Sequence, residues 1–296
     1  ISAIVGADCS GVTTAILQNV AMANGIVMIS PSATSPALTT VEDNGLFFRT
    51  APSDARQGKI VAEILMERGF KTAAMTYTNN DYGKGLADSI EANYKAAGGT
   101  ITINAPHEDG KADYNAEVAS LAQAGGDILI VAGYLDQGGK GIIQASLDNG
   151  AFDIFYMPDG MIGDSLPEAI GPDLNGSIGD VPGTDSPGAA TFETMASDAG
   201  FKAGPFAPES YDAAALIMLM LTRLSRLKTD AALGACLSIF FAVGIVLLTY
   251  IQSTNNASQG GLEAFLFGQA AATLRSDLWV MGSITLVTLL LLAVFW

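Results

Sequence analysis

One histidine and two cysteines in 296 residues leave little room for the commonest catalytic and metal chemistries. A Ser-His-Asp or Cys-His arrangement has a single candidate base, His107. It lies in "NAPHEDGKADY", a polar stretch at a strand end, which predicts a solvated surface role. Cys9 and Cys236 stand far apart, with neither zinc-ligand spacing nor a disulfide framework. Each reads as a small apolar side chain. A G-x-S-x-G nucleophile elbow is missing. In "GYLDQGGKG", Tyr134 occupies the first glycine position of a phosphate loop and Gly141 its Ser/Thr position, so no backbone cradle with a magnesium-binding hydroxyl is encoded. "DYGKGLADS" fails the dinucleotide spacing. No catalytic residue and no cofactor follow from these patterns.

Basic residues are also scarce, 14 Lys and Arg against 30 Asp and Glu. The imbalance is uneven along the chain. Residues 1–222 hold 27 acids and 10 bases, a net −17, whereas 223–296 hold 3 acids and 4 bases, a net +1. An acidic surface repels phosphate backbones, which argues against nucleic-acid binding. It names no partner by itself. The chain opens directly on "ISAIVG", a core-strand pattern without initiator Met or leader, so its natural start is expected upstream.

What is present over 1–182 is alternation. Short apolar runs, "SAIVG", "IVMIS", "LFFRT", "AAMTYT", "TITINA", "DILIVAG" and "DIFYMP", are separated by helical patterns at 11–23, 54–69, 82–97, 114–124 and 137–148. Continuous apolar strands with helices between them predict parallel βαβ units covered on both faces. Gly69, Gly98 and Gly99 stand where helices end, and Ser53 and Asp113 where N-caps are wanted. Residues 172–187, "PDLNGSIGDVPGTDSP", read as a loop or crossover, and helical patterning resumes at 188–199 and from Tyr211.

The end of the chain differs. Positions 231–251 and 278–296 carry no charged residue, and each is long enough to cross a hydrocarbon core of about 30 Å as a helix. A pair of buried core helices is the alternative. Arg223, Arg226 and Lys228 precede the first span, which places that end on the cytoplasmic side.

Two strand ends look built to bind. "GADCSGVTTAI" sets Cys9, Ser10 and Gly11 where a strand gives way to a helix, so free N–H groups and a hydroxyl meet there. A plain N-cap serine would look the same. The next strand end, "ISPSATSPALT", adds Ser30, Ser32, Thr34 and Ser35. In open α/β sheets ligands sit beyond the carboxyl ends of strands. Hydroxyl-rich, charge-poor loops there suit a small head group such as a carboxylate.

The blocks "GADCSG", "ISPSATSPALTT", "FFRTAPSDARQG", "YTNNDYGKGLADS", "GYLDQGGKGIIQAS" and "DGMIGDSL", in this order, make residues 1 to about 220 resemble the type I periplasmic amino-acid-binding proteins of the leucine/isoleucine/valine type, which feed ABC importers. The resemblance implies two doubly wound α/β lobes closing over one amino acid, with lobe 1 at about 1–52 and 183–220 and lobe 2 at about 53–182. It implies that Ser10, the backbone of Ser32, and Thr34 hold the ligand's head group, with Tyr82, Tyr134 and the ammonium partner Asp159 opposite. Read locally, Tyr82 is equally a helix-start aromatic. Against the family pattern the first strand–helix–strand units and the last crossover are absent, so the fold is expected to be N-terminally truncated and its pocket open at one wall.

The tail, "LTRLSRLKTDAALGACLSIFFAVGIVLLTYI" followed by "LEAFLFGQAAATLRSDLWVMGSI", resembles a central part of the zinc/manganese-type ABC permeases. That implies two transmembrane α-helices in the lipid bilayer of the cytoplasmic membrane, spans 231–251 and 278–296, within a partial permease segment 221–296. No metal ligand is assigned. Three functions therefore compete: a solute-binding part working with ABC membrane subunits in the periplasm, a permease fragment, and an unrecognised α/β enzyme. A receptor-like part outside the membrane and a basic loop inside it conflict, which predicts a hybrid of two partial genes joined near position 221.

Overall fold

The computed structural model describes residues 3–181, 188–224 and 234. The chain divides into one compact unit, Ile1–Ser225, and a second, Arg226–Trp296. Apart from position 234, spans 231–251 and 278–296 lie outside the described residues. Among the described residues no helix is long and apolar enough to cross a membrane.

The first unit holds two parallel sheets. In the smaller, β1 (Ala3–Val5), β2 (Val27–Ser30) and β3 (Phe47–Arg49) lie in the order β1-β2-β3. Between β1 and β2 the chain forms α1 (Ser10–Ile16), a π-helical turn (Leu17–Ala21) and α2 (Met22–Asn24), and it stops at Gly25 with φ 63°. That left-handed angle costs glycine nothing, and so ends the helix. Leu17 and Ala21 pack on Met28 and Phe47 with Leu38 of α3 (Ala37–Thr40). The other sheet face is covered by Ala213 and Ile217 of α10 (Ala207–Leu224), against Ile29.

The larger sheet contains β4 (Thr72–Thr78), β5 (Thr100–His107), β6 (Ile128–Ala132), β7 (Phe155–Met157) and β8 (Ile178–Gly179), all parallel, in the order β5-β4-β6-β7-β8. Helices α4 (Asp54–Glu67) and α5 (Asp81–Ala96) cover one face, burying Val61, Leu65, Leu86, Ile90 and Tyr94 on Met75 and Ile130. Helices α6 (Asn115–Ala124), α7 (Lys140–Asp148) and α8 (Ser165–Ile170) cover the other, through Val118, Leu121, Ile142, Ile143 and Leu166 on Leu129 and Phe155. With both faces covered, all five residues of β6 are buried. Because the chain moves from β4 out to β5 and back to β6, the order reverses beside β4, opening a crevice at the strands' carboxyl ends. Helix α9 (Ala189–Asp198) reaches α10 by an edge contact of Phe192 with Tyr211, 5.8 Å between centroids.

All seven expected strands are present. The short strand β8 lies inside the stretch expected to be a loop, where two β residues among turn formers leave no periodic signal. Helix α10 begins at Ala207, ahead of Tyr211. Ser53 caps α4 by accepting from Ala55 N at 3.3 Å. Asp113 does not cap α6; it sits one residue early, accepting from Asn115 N at 3.1 Å. Gly69 and Gly98 have φ of 85° and 94°. Gly99 serves differently, as a Cβ there would meet the Tyr94 ring at 2.4 Å.

Candidate functional site

The hydroxyl-rich loop after β2 is organised by its own serines. Ser30 Oγ donates to Ala7 O (2.6 Å) and accepts from Ala33 N (3.0 Å), drawing the loop over the β1 end. Ser10, first residue of α1 and buried, accepts from Ser35 N at 3.1 Å. Ser32 turns to Asp8, donating to its Oδ1 at 2.5 Å, while its own N–H reaches Ser30 Oγ at 3.4 Å. Thr34 is buried, and its hydroxyl has no hydrogen-bond partner.

Across the crevice, Asn80 caps α5 by accepting from Tyr82 N (3.0 Å) and Gly83 N (3.1 Å), which turns the Tyr82 ring inward. Tyr82 is buried; its hydroxyl donates to Asp159 Oδ1 (3.1 Å) and accepts from Gly160 N (3.2 Å). A side chain at Gly160 would strike Gly133 O and the Tyr82 hydroxyl, so only glycine allows this approach. Tyr134 stacks on Tyr82 with centroids 5.1 Å apart and planes 22° off parallel. Its hydroxyl faces the Cys9 thiol, and burial pushes the pKa of both groups up.

Two residues on one face of α4 complete the cluster. Gln57 Nε2 donates to Asp159 Oδ1 (2.8 Å) and to Asp180 Oδ2 (2.9 Å). Asp54 N donates to Thr34 O (2.9 Å), pinning the start of α4 to the loop after β2. The Asp54 carboxylate is fully buried; Thr34 Oγ1 is close by, but no pair between them meets hydrogen-bond geometry. Burial, then the Asp159 charge, pushes its pKa up to about 8. Burial also raises Asp159, against the hydrogen bonds from Gln57 and Tyr82, and lifts Asp180 to about 6. The cation that acts on Asp54, half-buried Arg49, is committed to Ala33 O (3.2 Å) and Ser35 O (2.9 Å). Three carboxylates thus meet in one corner. A cavity of about 170 Å³ lined by Thr34, Asp54, Gln57 and Asp180 opens beside them, with the exposed Arg56 also at its wall.

Of the residues expected from sequence, Tyr82, Tyr134 and Asp159 are in one contact network. Thr34 shares the cavity with Asp54 and Asp180. Ser10 joins through its neighbour Cys9, whereas the Ser32 side chain is spent on Asp8. Sequence reading missed Asp54, Gln57 and Asp180. The first two stand three apart at a helix start, a one-face spacing that was available; Asp180, in a turn-rich stretch, gave no signal.

The surface role expected for His107 is overturned. The ring is 1% exposed, its Nδ1 is 2.9 Å from Thr76 Oγ1, and Tyr114 packs edge-on at 6.2 Å. Gly133 backs onto its Nε2, and burial pulls the imidazole pKa down to about 4 despite Asp109 and Glu117 nearby. It is a neutral core histidine. Among the described residues no cluster of His, Cys, Asp and Glu could hold a metal ion.

Two parallel sheets covered by helices, whose strand ends face a crevice of hydroxyls and buried carboxylates, form the type I periplasmic-binding-protein fold. The chain belongs to the receptor family ligand-binding region, whose model matches residues 1–261. This is a ligand-binding family and not a catalytic one. The Leu/Ile/Val-binding protein homolog 1 of Brucella melitensis is 32% identical over 215 residues, 70% of this chain and 55% of that protein. The chain therefore spans about half the length of that relative. The manganese transport system membrane protein MntC of Bacillus subtilis is 53% identical over 76 residues, 26% of this chain and 18% of MntC. Among solved structures, the leucine-binding protein LivK of Thermotoga maritima shares the fold at a TM-score of 0.66 and 21% identity, covering 78% of this chain and 67% of that one.

Proposed function

We propose that residues 1 to about 220 bind a free amino acid, of the branched-chain class, between two closing lobes and present it to the membrane subunits of an ABC importer from the periplasm. The observation that carries this reading is the buried, unpaired Asp54 carboxylate close to Asp159 and Thr34. A zwitterion leaving water needs a donor set for its carboxylate and an anion for its ammonium, or desolvation dominates. Here the hydroxyls and N–H groups of the loop after β2 and the α1 start meet the first need. Asp159 and Asp54 meet the second, with Tyr82 and Tyr134 walling the crevice. Lobe 1 would comprise about 1–52 and 183–220, and lobe 2 about 53–182, with the β3–α4 crossover as a hinge. Contacts to both lobes then shift the population toward closure. The relatives' names, Leu/Ile/Val-binding and leucine-binding, support the ligand class.

The 76-residue likeness to MntC supports a second element of the proposal. Residues 221–296 would derive from a metal permease, with spans 231–251 and 278–296 in the lipid bilayer, making the chain a hybrid of two partial genes. Calorimetric titration of the full chain with single amino acids tests the main reading. Heat with leucine, isoleucine or valine is expected, and Asp159→Ala should weaken binding at least a hundredfold. A folded sample giving no heat with any amino acid, or unchanged affinity in the variant, refutes it.

A further inference from the structure

We propose that Gln57 is the positioning residue of the ammonium subsite, a neutral double donor that holds Asp159 and Asp180 side by side without cancelling the negative charge the ligand needs. This rests on the amino-acid-binding reading above.

The geometry is specific. One side-chain amide presents two hydrogens, and each goes to a different carboxylate, Asp159 Oδ1 at 2.8 Å and Asp180 Oδ2 at 2.9 Å. The two acids come from different places, the turn after β7 and the end of β8, and Gln57 on α4 bonds both. Asp159 Oδ1 also accepts from Tyr82, so the amide and the phenol together fix its rotamer. Both hydrogen-bond partners of the amide are acids, with Asp54 one helical turn earlier, while Arg56, which lines the same cavity, is exposed. Tyr156 lies behind Asp180, with its hydroxyl unpaired.

Residue type matters here. A leucine would leave two buried carboxylates facing each other, which costs the desolvation of each. A lysine or arginine would satisfy both acids, but would supply internally the positive charge that the ligand ammonium brings. A glutamate, while ionised, would add a fourth acceptor. Glutamine alone of these satisfies both acids and keeps the site anionic. Gln57 also sits on the helix whose first residue, Asp54, is tied to Thr34 O across the crevice. The ammonium subsite and the inter-sheet crossover thus move as one piece.

Four variants of the full chain test this: Gln57→Leu, Gln57→Lys, Gln57→Glu, and Gln57→Leu combined with Asp180→Asn. One readout needs no ligand. Carbon-detected NMR titration of the Asp159 and Asp180 carboxyls should show both titrating at higher pH in Gln57→Leu than in the wild type, and lower in Gln57→Lys. Unchanged titration in both variants overturns the proposal, whatever the ligand. In calorimetry with leucine, Gln57→Leu should bind about tenfold more weakly. Gln57→Lys should lose binding at least a hundredfold while melting no lower than the wild type. Gln57→Glu should regain affinity as pH falls and its carboxyl becomes a donor. Asp180→Asn in the Gln57→Leu background should restore affinity to within about threefold, because it removes the charge that then faces Asp159 without a shared donor. A merely structural role predicts parallel loss of melting temperature and affinity without rescue, which also overturns it. If the NMR shifts appear and no amino acid binds the wild type, the positioning of the acids stands and the amino-acid reading falls.

Discussion

Asp54 makes the empty protein lose stability as the solution becomes more alkaline, in a range where most folded proteins are insensitive. Its folded pKa is about 8. Its unfolded value is near 3.9. The folded state therefore binds the extra proton between these values, and stability falls as pH rises through that window and levels off above pH 8. Integrating over pH 6 to 8 gives a loss of about 2 kcal/mol. His107 opposes this by less, because only the tail of its unfolded titration near 6.5 falls in the window. The assay is urea unfolding of the ligand-free chain at both pH values, with Asp54→Asn alongside. The wild type should lose roughly 2 kcal/mol more than the variant, read as a shift in midpoint at constant slope. Saturating leucine should abolish the difference, because an ammonium beside Asp54 ionises it and expels the proton. Affinity for leucine should accordingly rise toward pH 8, by up to about tenfold per unit. Equal pH dependence in wild type and Asp54→Asn would refute the idea that a buried, unpaired carboxyl waits there for a cation.

Two further outcomes follow from the same structure. His107 has a folded pKa of about 4, below its unfolded value, so its contribution is lost as pH falls from 6.5 through 4. His107→Gln, which keeps a partner for Thr76 without titrating, should remove about 3 kcal/mol of acid sensitivity over that window, measured by urea midpoints. Gly58→Ala would set a Cβ 2.3 Å from Ser89 Oγ and 2.7 Å from its backbone, forcing α4 and α5 apart. Overpacking of this kind costs about 1–3 kcal/mol, and a thermal melt should show a drop of several degrees while Ser89→Gly in the same background recovers part of it.

The strands were legible because a parallel sheet covered on both faces needs unbroken apolar runs, and "DILIVAG" and "AAMTYT" supply them. Helix ends were legible where one residue does the work, as with Ser53 before α4 and Gly69 after it. Asp113 was misplaced by one position because an aspartate that starts a turn and one that caps a helix look alike in sequence. The brevity of β8, two residues, left nothing to detect. His107 was misread for a different reason. Its nearest neighbours in the chain are polar, whereas its burial is made by Thr76 and Gly133, brought in from other strands, and by Tyr114, folded back from the end of the same stretch.

The same division holds for the site. Local pattern and family likeness were enough for the α/β class and the hydroxyl-rich strand ends, and they brought forward Tyr82, Tyr134 and Asp159 as candidates, since each sits where a strand meets a loop or helix. That Asp54, Gln57, Asp159 and Asp180 share one acidic corner was decided by tertiary structure alone. Positions 54 and 57 stand at a crossover and positions 159 and 180 after two later strands, and only the side-by-side order of β6, β7 and β8 beneath α4 brings them together. A carboxyl's pKa depends on the water it loses and the charges it meets, and neither quantity exists until the chain has folded.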